Sequence, residues 1–218
     1  MVSPAAGLAG VVMAIHPTAL IEPGVTIGRH TSIWDNVHVR HSTEIGSECI
    51  IGEKTYIAYG VNIADRVKIN AFVYICTGVK IERGVMIAAG TVFTNDRFPR
   101  ATTPDFAHLL SSDPDENTLP TIVCEGATIG AQCTIAGGIR IGRFAMIGMG
   151  SVVTHDVPDF TLVMGSPARP AGYVCACGRP LHVDGVRMTD IAREVSCELC
   201  DARYRVGGTQ VEELATAL

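Results

Sequence analysis

A large apolar residue recurs at every sixth position through most of the first half of this chain. The series comprises Ile15, Ile21, Ile27, Ile33, Val39, Ile45, Ile51, Ile57, Ile63, Ile69, Ile75, Ile81, Ile87 and Phe93. It resumes with Val123, Ile129, Ile135, Ile141, Ile147 and Val153. An amphipathic helix needs apolar spacing near 3.6 and a half-buried strand needs a spacing of two, so neither explains a period of six.

A period of six predicts an all-β solenoid. Each hexapeptide would form one short strand and one turn, with its apolar residue pointing into a narrow interior. Three hexapeptides per turn place residues 18 apart in one column, and successive coils lie about 4.8 Å apart. The 23 glycines, the many Ile, Val, Ala and Thr residues and an aromatic content of only 6% suit such thin coils.

The repeat is interrupted after Phe93. Residues 94–122 do not keep the period and are rich in Pro, Asp, Ser and Thr, and irregular loops of this length are usually functional or disordered. Counting in steps of 18 places Phe93 on the face of Ile75 and Val123 on the face of Ile87. By this arithmetic the chain leaves one face, skips the next and returns on the third.

Two outward columns next to the interruption are aromatic and polar. One column comprises His38, Tyr56, Tyr74 and Val92, and the other comprises His41, Tyr59, Thr77 and Asn95. A polar, aromatic edge beside a long loop is an expected place for a ligand site. The alternative is a solvated surface column without a ligand.

Three segments of the chain carry a family resemblance. "FTNDRFPRA" at residues 93–101, "SIWDNVHVR" at 32–40 and "GMGSVVTHDVPDFTLVMGSPAR" at 148–169 resemble hexapeptide-repeat acyltransferases, and the matches span roughly residues 15–180. The loop segment is the discriminating one. It resembles the bacterial N-acetyltransferases that act on nucleotide-linked 3-amino sugars, such as UDP-2-acetamido-3-amino-2,3-dideoxyglucuronate or dTDP-3-amino-3,6-dideoxyhexoses.

The resemblance implies a left-handed parallel β-helix that assembles as a homotrimer. It also implies that acetyl-CoA lies between neighbouring helices, with its thioester near the loop. The acetyl group would pass to the 3-amino group of a nucleotide-linked sugar for bacterial surface polysaccharide, including the O-antigen of lipopolysaccharide.

The candidate catalytic residues lie at the start of the loop. A sugar amine is substantially neutral near pH 7, so attack on the thioester needs orientation more than deprotonation. The resemblance points to Asn95, whose amide oxygen can accept a hydrogen bond from the amine. Asp96 takes the released proton or braces the loop. The only histidine in the loop, His108, lies outside the matched motif.

The candidate substrate-binding residues are His38, Arg40, Tyr56, Tyr74, Arg97 and Arg100. The two loop arginines suit a sugar carboxylate or the diphosphate; otherwise they are solvated charges. By similarity, Ala136, Gly148 and Ser151 would flank the pantetheine arm of the cosubstrate and Arg169 would contact a phosphate. The alternative for Gly148 is a tight corner that needs a positive φ.

Two closely spaced cysteine pairs follow the repeat: Cys175 with Cys177, and Cys197 with Cys200. Four thiolates in a turn-rich segment are typical of a structural zinc ribbon. Cys-x-Cys in place of Cys-x-x-Cys leaves unmetallated thiols, a disulfide pair, or His182 as a substitute ligand as alternatives. The final segment, GGTQVEELATAL, is expected to be a short helix or a frayed end.

These patterns divide the chain into an N-terminal segment (1–14), a β-helix (15–172) with its inserted loop (94–122), a zinc ribbon (173–207) and a tail (208–218). The first fourteen residues contain no Lys or Arg, so they do not resemble a signal peptide, and they are too short to span a membrane. The net charge of −5 gives no basic surface for nucleic acid. A regular core needs no disulfides, which favours a reducing compartment and hence the cytoplasm.

Two other functions are compatible with a solenoid. A γ-type carbonic anhydrase would need His-x₄-His spacing and a third histidine, whereas this chain has His38 and His41 and no such trio. A non-catalytic scaffold is the second alternative, and thermal stabilisation by CoA distinguishes it from an acyltransferase.

Overall fold

The computed structural model describes residues 14–182 and 188–215. Apart from Ala14, the predicted N-terminal segment lies outside the described residues. All regular secondary structure in the described ranges is β. In those ranges there is no helix of the length and apolarity that crossing a bilayer requires.

Three parallel sheets form the faces of a solenoid. Sheet 1 stacks β1 (Ala14–Ile15), β4 (Ser32–Ile33), β7 (Ile50–Ile51), β10 (Lys68–Ile69), β13 (Met86–Ile87), β16 (Thr128–Ile129), β19 (Met146–Ile147) and β21 (Thr161–Gly165). Sheet 2 stacks β2 (Leu20–Ile21), β5 (His38–Val39), β8 (Tyr56–Ile57), β11 (Tyr74–Ile75), β14 (Val92–Phe93), β17 (Thr134–Ile135) and β20 (Val152–Val153). Sheet 3 stacks β3 (Thr26–Ile27), β6 (Glu44–Ile45), β9 (Asn62–Ile63), β12 (Val79–Ile81), β15 (Thr121–Val123) and β18 (Arg140–Ile141).

The predicted solenoid is therefore confirmed. Residues 18 apart pair in register, as Ile33 with Ile51 and Ile51 with Ile69. The apolar residue of each hexapeptide points inward, and Ile51, Ile69 and Ile87 have no exposed surface. Burying one such side chain contributes about 1.5–3 kcal/mol. The interior also holds threonines, whose hydroxyls donate to backbone carbonyls, as Thr43 does to Ala58 at 2.9 Å. These buried polar groups are thus satisfied.

The turns need two kinds of residue. In most coils the third residue after the inward one has a positive φ, and this position accepts Gly60 at +68° as well as Lys54 at 57°. The residue that directly follows the inward one is often glycine, for another reason. A Cβ on Gly52 would lie 2.6 Å from the backbone nitrogen of Ala71 in the next coil. These glycines allow coils to approach, and Gly148 is one of them because its Cβ would meet Met164 at 2.8 Å. The positive-φ explanation for Gly148 was therefore wrong.

The chain does not skip a face at the interruption. Val123 pairs with Ile81 of sheet 3, the face that directly follows sheet 2, and not with Ile87. The prediction that Val123 shares the face of Ile87 was wrong because it counted the loop as part of the lattice. A loop that leaves and re-enters at one corner adds residues without advancing the coil.

The loop itself is ordered as two antiparallel limbs. Its bridges join Asp96 to Thr118 near the base and Thr102 to Leu109 near the tip. The backbone N–H of Leu119 donates to the Asn95 carbonyl at 2.8 Å. The loop therefore leaves the solenoid at a defined angle, which fixes the position of its first residues.

A second β module follows the solenoid. β22 (Ala168–Val174) pairs antiparallel with β21 and with β23 (Pro180–Leu181), so sheet 1 continues into this module. β24 (Arg193–Ser196), β25 (Arg203–Gly207) and β26 (Gln210–Ala215) form a separate antiparallel sheet. The expectation of a helix or frayed end for the last segment was wrong, because residues 210–215 pair with β25. The sheet partner overrides the local sequence preference.

Candidate functional site

The inserted loop springs from the turns between sheets 2 and 3, which we call the loop corner. Both predicted columns beside it are confirmed. His38, Tyr56 and Tyr74 are register neighbours on sheet 2, and the rings of Tyr56 and Tyr74 stack with centroids 5.2 Å apart. In the second column, His41 stacks on Tyr59 at 5.2 Å.

Asn95 occupies a fixed position at the loop corner. Its Nδ2 donates to the Thr77 carbonyl one coil away at 3.1 Å, as the column predicts. On the other side, Gly137 lets the backbone of Asn95 approach, since a Cβ on Gly137 would lie 2.8 Å from the Asn95 Cα. In the described part of the chain, Oδ1 of Asn95 has no hydrogen-bond partner. The side chain therefore presents a free acceptor from a fixed amide.

A small polar cavity of about 80 Å³ adjoins Asn95. Its lining includes Thr77, Asp96, Asp113 and Asp115. Asp96 is exposed, and its backbone bridge to Thr118 ties the two limbs of the loop together. The cavity thus combines one amide with carboxylates that can accept hydrogen bonds from an amine.

The two loop arginines do not face this cavity. Arg97 is exposed and its guanidinium lies 5.4 Å from the centre of the Phe98 ring. Arg100 is exposed and donates to the carbonyl of Pro99 at 3.1 Å. Neither side chain contacts another predicted site residue in the described part of the chain.

Two predicted substrate residues, His38 and Arg40, contact a carboxylate that the sequence analysis did not select, and a third, Tyr56, bonds Arg40. Glu22 Oε1 lies 2.8 Å from His38 Nε2 and 2.6 Å from Arg40 Nε, and Oε2 accepts from the backbone N–H of His41 at 2.9 Å. Arg40 also donates from Nη1 to the Tyr56 hydroxyl at 3.0 Å. The lattice carried a signal for Glu22, since it lies 18 residues before Arg40.

Hydrogen bonds and ion pairs join Glu22, His38, Arg40, His41 and Tyr56, which we call the Glu22 cluster. Partial burial alone would raise the pKa of Glu22, but the His41 N–H and the His38 and Arg40 side chains outweigh it and lower this pKa to about 2. The Glu22 carboxylate is the main cause that raises the pKa of Arg40. Both shifts favour the charged forms, the carboxylate of Glu22 and the guanidinium of Arg40.

The predicted cosubstrate residues lie at two different corners. Ala136 belongs to the loop corner, one coil beyond the position of Thr94. A cavity of about 280 Å³ lies one coil further, and its lining combines apolar residues with Thr154, His155, Asp156 and Arg169. His155, in the lining of this cavity, lies two coils from Asn95, a distance of about 10 Å.

Gly148 and Ser151 belong to the corner between sheets 1 and 2. The Ser151 side chain is fully buried, and its hydroxyl donates to the Gly148 carbonyl at 2.6 Å and accepts from the Gly165 N–H at 3.1 Å. Ser151 thus holds two backbone segments together. In this single chain, the structure does not bring Gly148 and Ser151 together with Ala136.

The four tail cysteines converge on one point. Cys175 follows β22 and Cys197 follows β24, so each pair occupies the turn of a hairpin. Cys175 Sγ lies 3.5 Å from Cys200 Sγ, Cys177 Sγ lies 3.6 Å from Cys197 Sγ, and all four sulfurs lie within 4.8 Å of one another. These separations are too long for disulfides, and all four thiols are free.

The geometry fits a tetrahedral metal centre. Zn–S bonds of about 2.3 Å place tetrahedral sulfurs about 3.8 Å apart, close to the two shortest distances. Burial alone would raise the pKa of Cys197, but the backbone N–H groups of Leu199 and Cys200 outweigh it and lower this pKa to about 7. His182 is exposed and does not belong to the cluster.

Comparison with known families matches the repeat directly. The family "Bacterial transferase hexapeptide (six repeats)" matches residues 24–59 and 60–95. The family "Hexapeptide repeat of succinyl-transferase" matches residues 43–76 and 120–155, on both sides of the loop. Together the two models match residues 24–95 and 120–155, the coils before and after the loop.

The relatives of this hexapeptide-repeat protein include named acetyltransferases. It is 44% identical over 94 residues to dTDP-3-amino-3,6-dideoxy-alpha-D-galactopyranose 3-N-acetyltransferase of Aneurinibacillus thermoaerophilus, covering 43% of this chain and 45% of the relative. It is 48% identical over 50 residues to serine acetyltransferase 4 of Arabidopsis thaliana, covering 23% of this chain and 14% of the relative. The chain thus spans less than half the length of these relatives.

Among solved structures, the hexapeptide-repeat protein is similar to WeeI from Acinetobacter baumannii AYE. The two share 23% sequence identity with a TM-score of 0.47, and the alignment covers 73% of this chain and 57% of WeeI. It is also similar to the acetyltransferase domain of PglB from Neisseria gonorrhoeae FA1090, with 18% identity and a TM-score of 0.44, covering 72% of this chain and 56% of that domain.

Proposed function

We propose that this protein is an acetyl-CoA-dependent N-acetyltransferase that acts on the 3-amino group of a nucleotide-linked amino sugar. The observation that carries the proposal is the fixed amide of Asn95, whose Nδ2 donates to the Thr77 carbonyl while Oδ1 has no hydrogen-bond partner among the described residues. The relative from Aneurinibacillus thermoaerophilus, which is named as a 3-N-acetyltransferase of such a sugar, supports the same chemistry.

In this proposal, Asn95 positions the nucleophile. Its Oδ1 accepts one N–H of the neutral amine, which leaves the nitrogen lone pair directed at the thioester carbon. Formation of the C–N bond gives a tetrahedral oxyanion, and its collapse breaks the C–S bond and releases CoA as the thiolate. The nitrogen then loses one proton, which Asp96 accepts and passes to solvent or to the thiolate. Backbone N–H groups stabilise the oxyanion.

The remaining candidate residues would hold the rest of the two substrates. His38, Arg40, Tyr56 and Tyr74 form the wall of the loop corner that faces the nucleotide-linked sugar. Arg97 and Arg100 extend from the exposed limb of the loop, where they suit a sugar carboxylate.

For acetyl-CoA, the loop corner offers a path from Asn95 past Ala136 to the cavity beside Arg169. Its apolar residues suit a pantetheine arm, and Arg169 suits a phosphate at the part of the cavity away from the Asp156 carboxylate. Gly148 and Ser151 would approach the same cosubstrate from a neighbouring subunit of a homotrimer, with Ser151 acting through the Gly148 carbonyl that it holds.

The cysteine cluster is proposed to hold one structural Zn²⁺ through Cys175, Cys177, Cys197 and Cys200. Bound Zn²⁺ would join the two hairpins without an open coordination position. A cytoplasmic location, where thiols stay reduced, and a role in lipopolysaccharide O-antigen synthesis complete the proposal.

The test is CoA-thiol release from acetyl-CoA with UDP- and dTDP-linked 3-amino sugars. Asn95→Ala is expected to lower kcat by about 10² or more without changing the thermal unfolding temperature, because loss of a positioning group acts on the reacting geometry. Asn62→Ala is the matched control, since Asn62 lies on sheet 3 and bonds only Glu44.

Wild-type turnover in Asn95→Ala would refute the role of Asn95. Absence of any stabilisation of the wild-type protein by CoA or acetyl-CoA would favour the non-catalytic scaffold.

A further inference from the structure

Glu22 lies in the first coils of the solenoid, and its carboxylate contacts three other residues. The carboxylate accepts a hydrogen bond from the backbone N–H of His41, lies 2.8 Å from Nε2 of His38 and forms an ion pair with the guanidinium of Arg40. The Glu22 side chain is only 22% exposed. A surface ion pair contributes little by itself and usually leaves both partners mobile. A carboxylate with three partners holds its neighbours in one geometry.

Arg40 is the positively charged partner of Glu22. Its buried Nε lies 2.6 Å from Glu22 Oε1 as an ion pair without hydrogen-bond alignment, and its Nη1 donates to the Tyr56 hydroxyl at 3.0 Å. Its guanidinium also lies 6.0 Å from the centre of the Tyr59 ring. Within the described ranges, Nη2 has no partner. The planar guanidinium is therefore held on two sides and presents its remaining amino group outward.

A fixed guanidinium with one free amino group suits an anionic oxygen. Arginine is the side chain best matched to phosphate and carboxylate oxygens, and a group that is already ordered loses less entropy when it binds. The tyrosine and histidine rings stack on one another, so they act as a wall that holds Arg40 and leave little free ring face for a base.

The position of Arg40 relative to Asn95 indicates which anion the Arg40 guanidinium would bind. His41, which follows Arg40, lies in the Asn95 column, with Tyr59 and Thr77 between them. Three coil steps amount to about 14 Å along the loop corner. In a nucleotide-linked amino sugar, the diphosphate and the nucleoside extend away from the ring that carries the amine. One extended molecule can therefore place its amine at Asn95 and its phosphates towards Arg40.

We propose that Glu22 is a positioning residue that holds Arg40 for the diphosphate of the nucleotide-linked substrate. This inference rests on the proposed function, because it assigns the far end of that same substrate. It adds a residue that the sequence motifs do not include, and it names the group that the Glu22 cluster recognises.

Direct binding tests the inference without requiring turnover. The binding of dTDP, UDP, thymidine and free glucuronate is measured by calorimetry on the wild-type protein, Glu22→Gln, Arg40→Gln and the control Glu48→Gln. Glu48 forms a similar coil-to-coil pair with Arg66 at 2.7 Å, but at a different corner. Glu22→Gln and Arg40→Gln are expected to weaken nucleoside diphosphate binding at least tenfold, and Glu48→Gln less than twofold. Thymidine is expected not to bind measurably.

Kinetics separates positioning from a structural effect. Glu22→Gln is expected to raise KM for the nucleotide-linked sugar about tenfold, with KM for acetyl-CoA and the thermal unfolding temperature unchanged. A Glu22→Gln variant that loses CoA binding as well has lost its fold locally, which overturns the specific role.

Three further results have defined meanings. Equal nucleoside diphosphate affinity in the wild type, Glu22→Gln and Arg40→Gln overturns the inference. Binding of glucuronate at this site in place of nucleoside diphosphates overturns the diphosphate assignment. Binding of dTDP or UDP that depends on Glu22, with no thiol release by the wild-type protein, retains the anion site and overturns the proposed function instead.

Discussion

The solenoid and the C-terminal module position their polar groups by different means. In the solenoid, Asn95, Thr77 and Tyr59 lie above one another because every coil repeats the same backbone path. In the module, Cys175 and Cys200 are 25 residues apart and meet because two hairpins fold onto each other. The comparison teaches that a repeat fixes a site through many small, local interactions, whereas the module depends on a few long-range ones.

The two regions also differ in what forms their cores. The solenoid interior is a continuous ladder of Ile and Val side chains. The module has a smaller cluster that includes Phe160, Tyr173 and Tyr204, together with two of the cysteines. A module of this size buries little apolar surface, so a metal centre is the expected additional source of stability.

Removal of the proposed Zn²⁺ is expected to have the largest effect, and it should act on the module alone. Structural zinc sites contribute about 10–16 kcal/mol of apparent binding free energy, so Cys197→Ser or a strong chelator should unfold the module. The solenoid should keep its own thermal transition. The measurements are zinc content by mass spectrometry and limited proteolysis after residue 172.

Cys49→Ser is the matched control for zinc content, because Cys49 is buried in the solenoid and lies outside the cluster. A wild-type protein without stoichiometric zinc, or a module that resists proteolysis after chelation, would contradict the metal centre.

Truncation of a central inward residue is expected to have an intermediate effect. Ile69 is fully buried between Ile51 and Ile87, and Ile69→Ala should lower the free energy of unfolding by about 2–5 kcal/mol, since the cavity cannot close between stacked coils. Urea unfolding measures the change. Lys68→Ala, the exposed neighbour on the same strand, should change stability by less than about 0.5 kcal/mol. Equal effects of the two variants would contradict the stacked core.

Two glycine variants are expected to have the smallest effects. They compare the close approach of neighbouring coils with the conformation of a turn. Gly52→Ala places a Cβ 2.6 Å from backbone atoms of the next coil and should cost about 1–3 kcal/mol. Gly60→Ala meets no atom within 4 Å and should cost only about 1 kcal/mol, for a positive φ of 68°. Urea unfolding compares the two, and the reverse order would show that turn conformation, not coil spacing, limits the solenoid.

Much of the solenoid was predictable because its contacts obey one rule. The columns of Tyr56 with Tyr74 and of Asn95 with Thr77 follow from a spacing of 18 residues. The same rule failed for Val123, because a loop adds residues without adding a coil. The rule does not extend to the final strand, residues 210–215, because this strand lies after the repeat and pairs with β25.

The sequence by itself determined the coil period, the three-faced stack, the place of the loop and the identity of the four clustered cysteines. These features follow from local spacing, which every coil repeats. Only the tertiary structure decided that Glu22 joins His38 to Arg40, that the loop re-enters at its own corner and that Ser151 is buried. Those outcomes depend on side-chain reach and on competition among hydrogen-bond partners, which residue spacing does not encode.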